Sequence, residues 1–260
     1  GLASHDIVAS NALARARRAA EAAGRLLQDR FGHAEVNART GRDIKLLEDR
    51  LAQDLIVESL RERGDEPVLT EENGWIGQPP AQGQAYWVVD PLDGSYNYSC
   101  GIPLCCVAVA LCRDETPLAG CVHDFIRGET FEAATSGPLR LNGRGLGPVH
   151  RPAAVLATGF PVAGEHSADA IGHHLGQWRK LRMLGSAALS LAWVAAGRLD
   201  AYSEDGIRWW DVAAGMALVE GSGGRVSRVA EGTDPMTRLA GPWRIEAVRA
   251  GVSLPQGVRA

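Results

Sequence analysis

The chain has 260 residues, 45% of them hydrophobic and 22% charged, with a formal net charge of −4. Arg, Asp and Glu are spread evenly, without the basic stripe of a nucleic-acid binder, and no apolar run is long enough to span a bilayer. The first residues, Gly1 to Asp6, lack the basic-then-apolar pattern of a signal peptide, so the expectation is a cytoplasmic protein with no nucleic-acid or membrane partner and enough chain for a substantial core.

Residues 6–31 read as an amphipathic helix stopped by Gly32, and 41–44 as a turn or short strand. A second helix follows at 48–63, with Leu51, Leu55 and Leu60 on one face and Gly64 at its end. Short apolar runs at 68–70 and 87–89 read as strands around a Gln/Pro/Gly-rich loop at 77–84. The longer run 104–112 suits a central strand, and 119–125 and 129–133 follow as strands joined by a turn at Arg127-Gly128. The Gly- and Pro-rich stretch 136–152 sets a subdomain boundary, giving an α+β unit at 1–145 and an α/β unit at 146–260. In the second unit, strands at 154–158, 180–184, 200–203, 224–229 and 244–249 alternate with helices at 167–178, 186–197 and 211–221.

Five cysteines, Cys100, Cys105, Cys106, Cys112 and Cys121, have neither zinc-knuckle spacing nor a His pair beside them, so reduced, buried thiols are expected. His123, His166, His173 and His174 read as surface residues, since the adjacent pair 173–174 on a helix cannot face one ion. Trp75, Trp87, Trp193, Trp209 and Trp210 read as core or interface.

The chemistry is concentrated in Trp87-Val88-Val89-Asp90-Pro91-Leu92-Asp93-Gly94-Ser95-Tyr96-Asn97-Tyr98. An apolar strand ends in Asp90, and a turn through Pro91 aims Asp90 and Asp93 at one point. Two carboxylates held together need a proton or a cation, and oxygen ligands alone favour magnesium, manganese or calcium over zinc. Gly94 and Ser95 can open a helix whose free N–H groups face an anion. Taken singly, Asp93 reads as only a helix N-cap and Asp90 as only a turn residue. Three further acidic sites weigh against that plainer reading: Glu71-Glu72 after a strand, Asp211 in Trp209-Trp210-Asp211-Val212-Ala213-Ala214-Gly215, and Asp49 closing Asp43-Ile44-Lys45-Leu46-Leu47-Glu48-Asp49.

Together these segments resemble the inositol monophosphatase superfamily, whose signature is an E-E pair, then D-P-[IL]-D-G-[TS] with x-N-[FY], then a late W-D-x-A-[AG]-G. The resemblance runs from about residue 40 to 224 and takes in Gly159-Phe160-Pro161, Leu184-Gly185-Ser186-Ala187-Ala188 and Gly223-Gly224. It implies a layered αβαβα sandwich of two subdomains, a homodimer, and two or three Mg2+ ions, with Mn2+ as a substitute. It assigns Glu71, Asp90 and the Leu92 carbonyl to a first cation and Asp90, Asp93 and Asp211 to a second, with Glu71 facing a weaker third. Asp49 and Ser95 would orient and help deprotonate a metal-activated water, and the Gly94 and Ser95 amides would bind phosphate. Ala187 and Glu204 would meet the substrate, although Glu204 also reads as a strand-end surface acid, and Arg182 as a structural or interface cation. The implied reaction is hydrolysis of a small phosphorylated metabolite, foremost an inositol or other polyol monophosphate. Histidinol phosphate, fructose 1,6-bisphosphate and adenosine 3′,5′-bisphosphate are the alternatives, and a non-catalytic binding protein on the same fold is the rival of another class. The chain departs from the family's D-[LI]-V-T-x-x-D loop at Lys45 and Glu48, which leaves cation affinity open, and substrate choice falls to loops 77–84 and 160–168.

Overall fold

A computed structural model describes residues 2–41, 43–160, 167–230, 239 and 241–253. Helix α1 (Leu2–Asp29) and α2 (Leu47–Arg61) pack side by side, with the hairpin β1 (Val36–Thr40) and β2 (Asp43–Leu46) between them in the chain. An eight-stranded sheet follows, built from β3 (Val68–Thr70), β4 (Gly74–Ile76), β5 (Ala85–Asp93), β6 (Cys106–Arg113), β7 (Thr116–Asp124), β8 (Glu129–Ala134), β9 (Arg140–Leu141) and β10 (Arg144–Gly145), with the short helix α3 (Ser95–Cys100) after β5. Its strand order is β10-β9-β8-β7-β6-β5-β3-β4, and only the β3–β5 pair is parallel. The second half supplies β11 (Val155–Thr158), α4 (Ser167–Gln177), β12 (Lys180–Arg182), α5 (Ala187–Ala195), β13 (Ala201–Ile207), α6 (Trp209–Gly221), β14 (Arg225–Ala230) and β15 (Trp243–Val248). Its five strands order as β12-β11-β13-β15-β14.

The layers follow from which faces are apolar. Strand β6 is buried on both sides: Cys106, Ala108, Ala110 and Cys112 face α5 and α6, while Val107, Val109 and Leu111 face α1 and α2. A two-sided strand of this kind reads as a continuous apolar run, which is how 104–112 reads in the sequence. Helix α1 meets the sheet through a stripe of small residues, Ala12, Ala16, Ala19, Ala20 and Ala23, ending in Leu27. Helices α5 and α6 are apolar nearly all round because they are sandwiched between the two sheets. At Gly120 of β7 an added Cβ would lie 2.4 Å from the Ala214 carbonyl oxygen, so α6 rests directly on the sheet backbone. The result is the αβαβα stack of α1/α2, large sheet, α5/α6, small sheet and α4.

Several boundaries differ from expectation. Helix α2 buries Asp49, Ala52, Gln53, Ile56 and Leu60, and Leu51 and Leu55 lie only half-buried at its flank. Strand β1 is exposed throughout, β4 is an edge strand of three residues, and β9 and β10 are two residues each, so none carries a readable apolar pattern. All five cysteines are free and only Cys100 is exposed. No helix of the described residues is long and apolar enough to cross a membrane.

Candidate metal centre

The centre of the site is made by a fault in strand pairing. Along β5, Asp90 pairs with Ala108 of β6 and Asp93 with Cys106, so three steps on one strand match two on the other. Residues three apart on a regular strand point to opposite faces; the extra residue at Pro91-Leu92 turns both carboxylates toward α5 and α6. Pro91, which cannot donate to the ladder, sits within the irregularity. Gly94 then turns the chain with φ of +89°, and its Cβ position lies 2.7 Å from the Leu104 carbonyl oxygen, so only glycine fits.

Asp211 arrives from the other half. Helix α6 begins at Trp209, so Asp211 is its third residue, and its Oδ2 accepts the Arg208 N–H at 2.9 Å. Carboxylate oxygens of Asp90, Asp93 and Asp211 lie within 4.8 Å of one another. Asp90 and Asp93 are 3% and 7% exposed. Burial, then the charges of Asp93 and Asp211, pushes the Asp90 carboxyl well up from its ordinary value. Burial and the Asp93 charge do the same to Asp211. Asp93 is raised by burial, against hydrogen bonds from Asp90, Ser186 and Ala188. Three acids so placed are a poor set of neighbours for one another and a good one for a hard divalent cation, whose charge removes the repulsion.

Asp93 is also the joint between halves. Its Oδ2 accepts the Ser186 hydroxyl at 2.5 Å and the Ala188 N–H at 2.9 Å, at the start of α5. Nearby, Asn97 donates to the Leu104 and Leu184 carbonyls at 2.8 and 2.7 Å, clamping α3 to the loop before α5. Neither role was assigned from the sequence, although Ser186 and Asn97 both fall inside the family segments.

Asp49 and Ser95 meet as expected. The Ser95 hydroxyl donates to Asp49 Oδ1 at 2.8 Å, with the Leu92 carbonyl 3.0 Å away. Asp49 is the third residue of α2, and its Oδ2 accepts the Leu46 N–H at 2.8 Å, the same tether that holds Asp211. Burial pushes its pKa up to about 6, against the Leu46 and Ser95 hydrogen bonds and the Lys45 charge.

Glu71 is placed less centrally. Thr70 of β3 pairs with Val89 of β5, so Glu71 follows in step with Asp90, but it stays exposed and outside the three-carboxylate cluster. Its Oε1 lies 2.9 Å from Lys45 Nζ, which also lies 2.8 Å from Glu72 Oε1. Burial works against the Lys45 charge, but the hydrogen bonds to Glu72 and Glu71 outweigh it and raise its pKa. Glu48, three residues on, is fully buried and turned away, accepting the Glu35 N–H at 2.8 Å beside Arg30.

Glu204 of β13 is no free surface acid. It is half-buried and accepts the Tyr202 hydroxyl at 2.5 Å, two residues away on the same strand face. Its carboxylate fills the space a Cβ at Gly159 would need, 1.1 Å from Glu204 Oε1. Burial pushes it up to about 7, against the Tyr202 hydrogen bond, with the Asp93 charge adding to the rise. Ala187 opens α5 half-buried, and Arg182 is exposed on β12. The histidines are not all on the surface: His174 is 7% exposed, and His123 is half-buried against Gly24, its Nδ1 2.8 Å from Thr130 Oγ1. His173 is exposed; His166, and the loop at 161–166, lie outside the described residues.

A two-sheet sandwich with a carboxylate cluster built from both halves defines the class, and the comparisons name it. Residues 9–254 match the model of the inositol monophosphatase family, and the chain belongs to that family. A relative from Pseudomonas aeruginosa named Nus factor SuhB is 37% identical over 227 residues, 82% of this chain and 83% of its own. An inositol-1-monophosphatase of Mesorhizobium japonicum is 35% identical over 234 residues, 84% and 85% of the two chains. The crystal structure of the extragenic suppressor protein suhB of Bartonella henselae superimposes with a TM-score of 0.80 at 30% identity, covering 92% of this chain and 94% of that one.

Proposed function

We propose that this chain is a Mg2+-dependent phosphomonoesterase acting on a small polyol or sugar phosphate, inositol monophosphate foremost. The observation that carries the reading is the convergence of Asp90, Asp93 and Asp211, from both halves of the chain, within 4.8 Å. Asp90, Asp93 and Asp211 would hold the divalent ions, joined by Glu71 and the Leu92 carbonyl. Hard cations there supply Lewis-acid activation of water and neutralise phosphate charge. Ser95 orients the attacking water, and Asp49, held by Leu46 and Ser95, takes up the proton. The amides of Gly94 and Ser95, at the turn into α3, face the phosphate oxygens. Glu204, fixed by Tyr202, and the Ala187 amide receive the substrate's hydroxyls. No covalent phosphoenzyme is expected, since each acid of the site already has a partner or an ion to hold.

The name Nus factor on some relatives does not itself describe a phosphatase. Retention of the three clustered carboxylates together with the Asp49–Ser95 pair favours hydrolysis for this chain. The test is phosphate release with and without Mg2+ from inositol 1-phosphate, fructose 1,6-bisphosphate, adenosine 3′,5′-bisphosphate and histidinol phosphate. Mg2+-dependent release from one of them, lost in Asp93→Asn, supports the reading; a folded protein that binds Mg2+ and releases no phosphate from any of them points to the binding-protein alternative.

A further inference from the structure

Lys45 stands where the sequence departs from the family loop, and it does not reach into solvent as a surface lysine would. In β2 the side chains of Ile44 and Leu46 go into the core, so Lys45 must leave by the opposite face. That face looks onto the turn after β3. Its ammonium sits between Glu71 Oε1 and Glu72 Oε1 at 2.9 and 2.8 Å, and its charge reaches Asp49 as well. One cation thus serves three acids at the outer edge of the Asp90, Asp93 and Asp211 cluster.

We propose that the Lys45 ammonium is a resident cation of the centre, occupying the outer oxygen of Glu71 and confining divalent ions to the inner carboxylates. This rests on the reading of the Asp90, Asp93 and Asp211 cluster as a metal centre. The chemistry is competition for one oxygen. An ammonium with three donors satisfies the same lone pairs that a divalent ion would use. An ion arriving at Glu71 Oε1 must break the Lys45–Glu71 ion pair and then lie next to a positive charge still held by Glu72. Oε2, the second oxygen of Glu71, would be left for an ion shared with Asp90. The three side chains are each about one-third to two-fifths exposed, so water and ions reach them and the competition is at equilibrium. The centre is thereby given a fixed monovalent charge in place of its most weakly held divalent one.

The test counts ions and does not depend on turnover. Mn2+ is titrated into the full-length protein, stripped with a chelator and then desalted, and free Mn2+ is followed by electron paramagnetic resonance. Wild type, Lys45→Met, Lys45→Arg and the double variant Lys45→Met/Glu71→Gln are compared, each first shown to be folded by thermal unfolding. Lys45→Met, which keeps the stem and loses the charge, is expected to bind about one further Mn2+ per chain, or to bind the weakest ion ~10-fold more tightly. Lys45→Arg, still charged, is expected to match wild type, and the double variant to lose the gain. Equal counts and affinities in wild type and Lys45→Met overturn the inference and leave the inner centre standing. A gain that survives in the double variant also overturns it, because the added ion is then not at Glu71. Failure of every variant to bind Mn2+ overturns the metal-centre reading itself and this inference with it.

Discussion

Replacing Asp93 with Asn should stabilise the metal-free protein while removing its response to Mg2+. The oxygens of the cluster lie within 4.8 Å of one another. At an effective dielectric constant of ~20, two unit charges at that distance repel by about 3 kcal/mol. Partial protonation of Asp90 and Asp211 relieves part of this, as their raised pKa values indicate. An Asn carbonyl can still accept from Ser186 and Ala188, at the loss of roughly 1 kcal/mol of charge assistance. The net gain expected at pH 8 in EDTA is about 1–2 kcal/mol, or ~2–8 °C in Tm for a chain of this size. The sign with pH follows from the direction of the shifts. These carboxyls have folded pKa values above the ordinary 3.8, so the folded state holds extra protons and stability falls as pH rises through that window. The advantage of Asp93→Asn should therefore shrink toward nothing near pH 4. With saturating Mg2+ the order inverts, because wild type gains ~3 kcal/mol at a hundred times its dissociation constant and the variant gains little. Thermal unfolding at pH 8 and pH 4, with EDTA and with Mg2+, measures all four corners. If Asp93→Asn is equally destabilised at both pH values and still gains from Mg2+, the electrostatic reasoning is wrong.

Three further outcomes are expected. Asp49→Asn and Ser95→Ala should each lower kcat by ~10²–10⁴-fold with Mn2+ binding retained; the acid limb of the kcat profile, set by Asp49 at about 6, should vanish in Asp49→Asn. A limb that persists in that variant assigns the base elsewhere. Gly94→Ala places a Cβ 2.7 Å from the Leu104 carbonyl at φ +89°, so a loss of ~2–4 kcal/mol in chemical denaturation is expected, with activity lost alongside. Gly159→Ala must push Glu204 out of its place, so KM for a polyol phosphate should rise while Mn2+ binding, read by titration, stays as in wild type. An unchanged KM would remove Glu204 from the substrate side.

The layers were legible in the sequence wherever burial wrote a period. The two-sided run of β6, the alternation of the second half, and the α2 and α6 helices could be read within a few residues of their ends. The acids of the site were legible as motifs, and a turn through Pro91 was expected to aim Asp90 and Asp93 at one point; the pairing fault that achieves it was not. Asp90 and Asp93 face one way only because of the register shift at Pro91-Leu92, and a pairing fault between two strands has no signature in either strand alone. Strand β1 escaped notice because its side chains are all exposed, and β4 because three residues are too few to show an alternation. The destinations of Lys45 and Glu48 were equally hidden: neighbours in one loop, one faces Glu71 and Glu72 and the other Arg30 and the Glu35 amide. Alternation along β2 and the onset of α2 decide this, not residue type.

The bonds from Ser186 and Ala188 to Asp93 bear on the order in which the molecule is completed. A chain growing from its N-terminus exposes Asp90 and Asp93 well before residues 186–211 have been made. Until those residues arrive, the two acids have neither the third carboxylate nor the donors that fix Asp93. Completion of the carboxylate cluster is thus deferred to the closing of the second sheet over α5 and α6, and a truncated or half-made chain holds only two of its three acids.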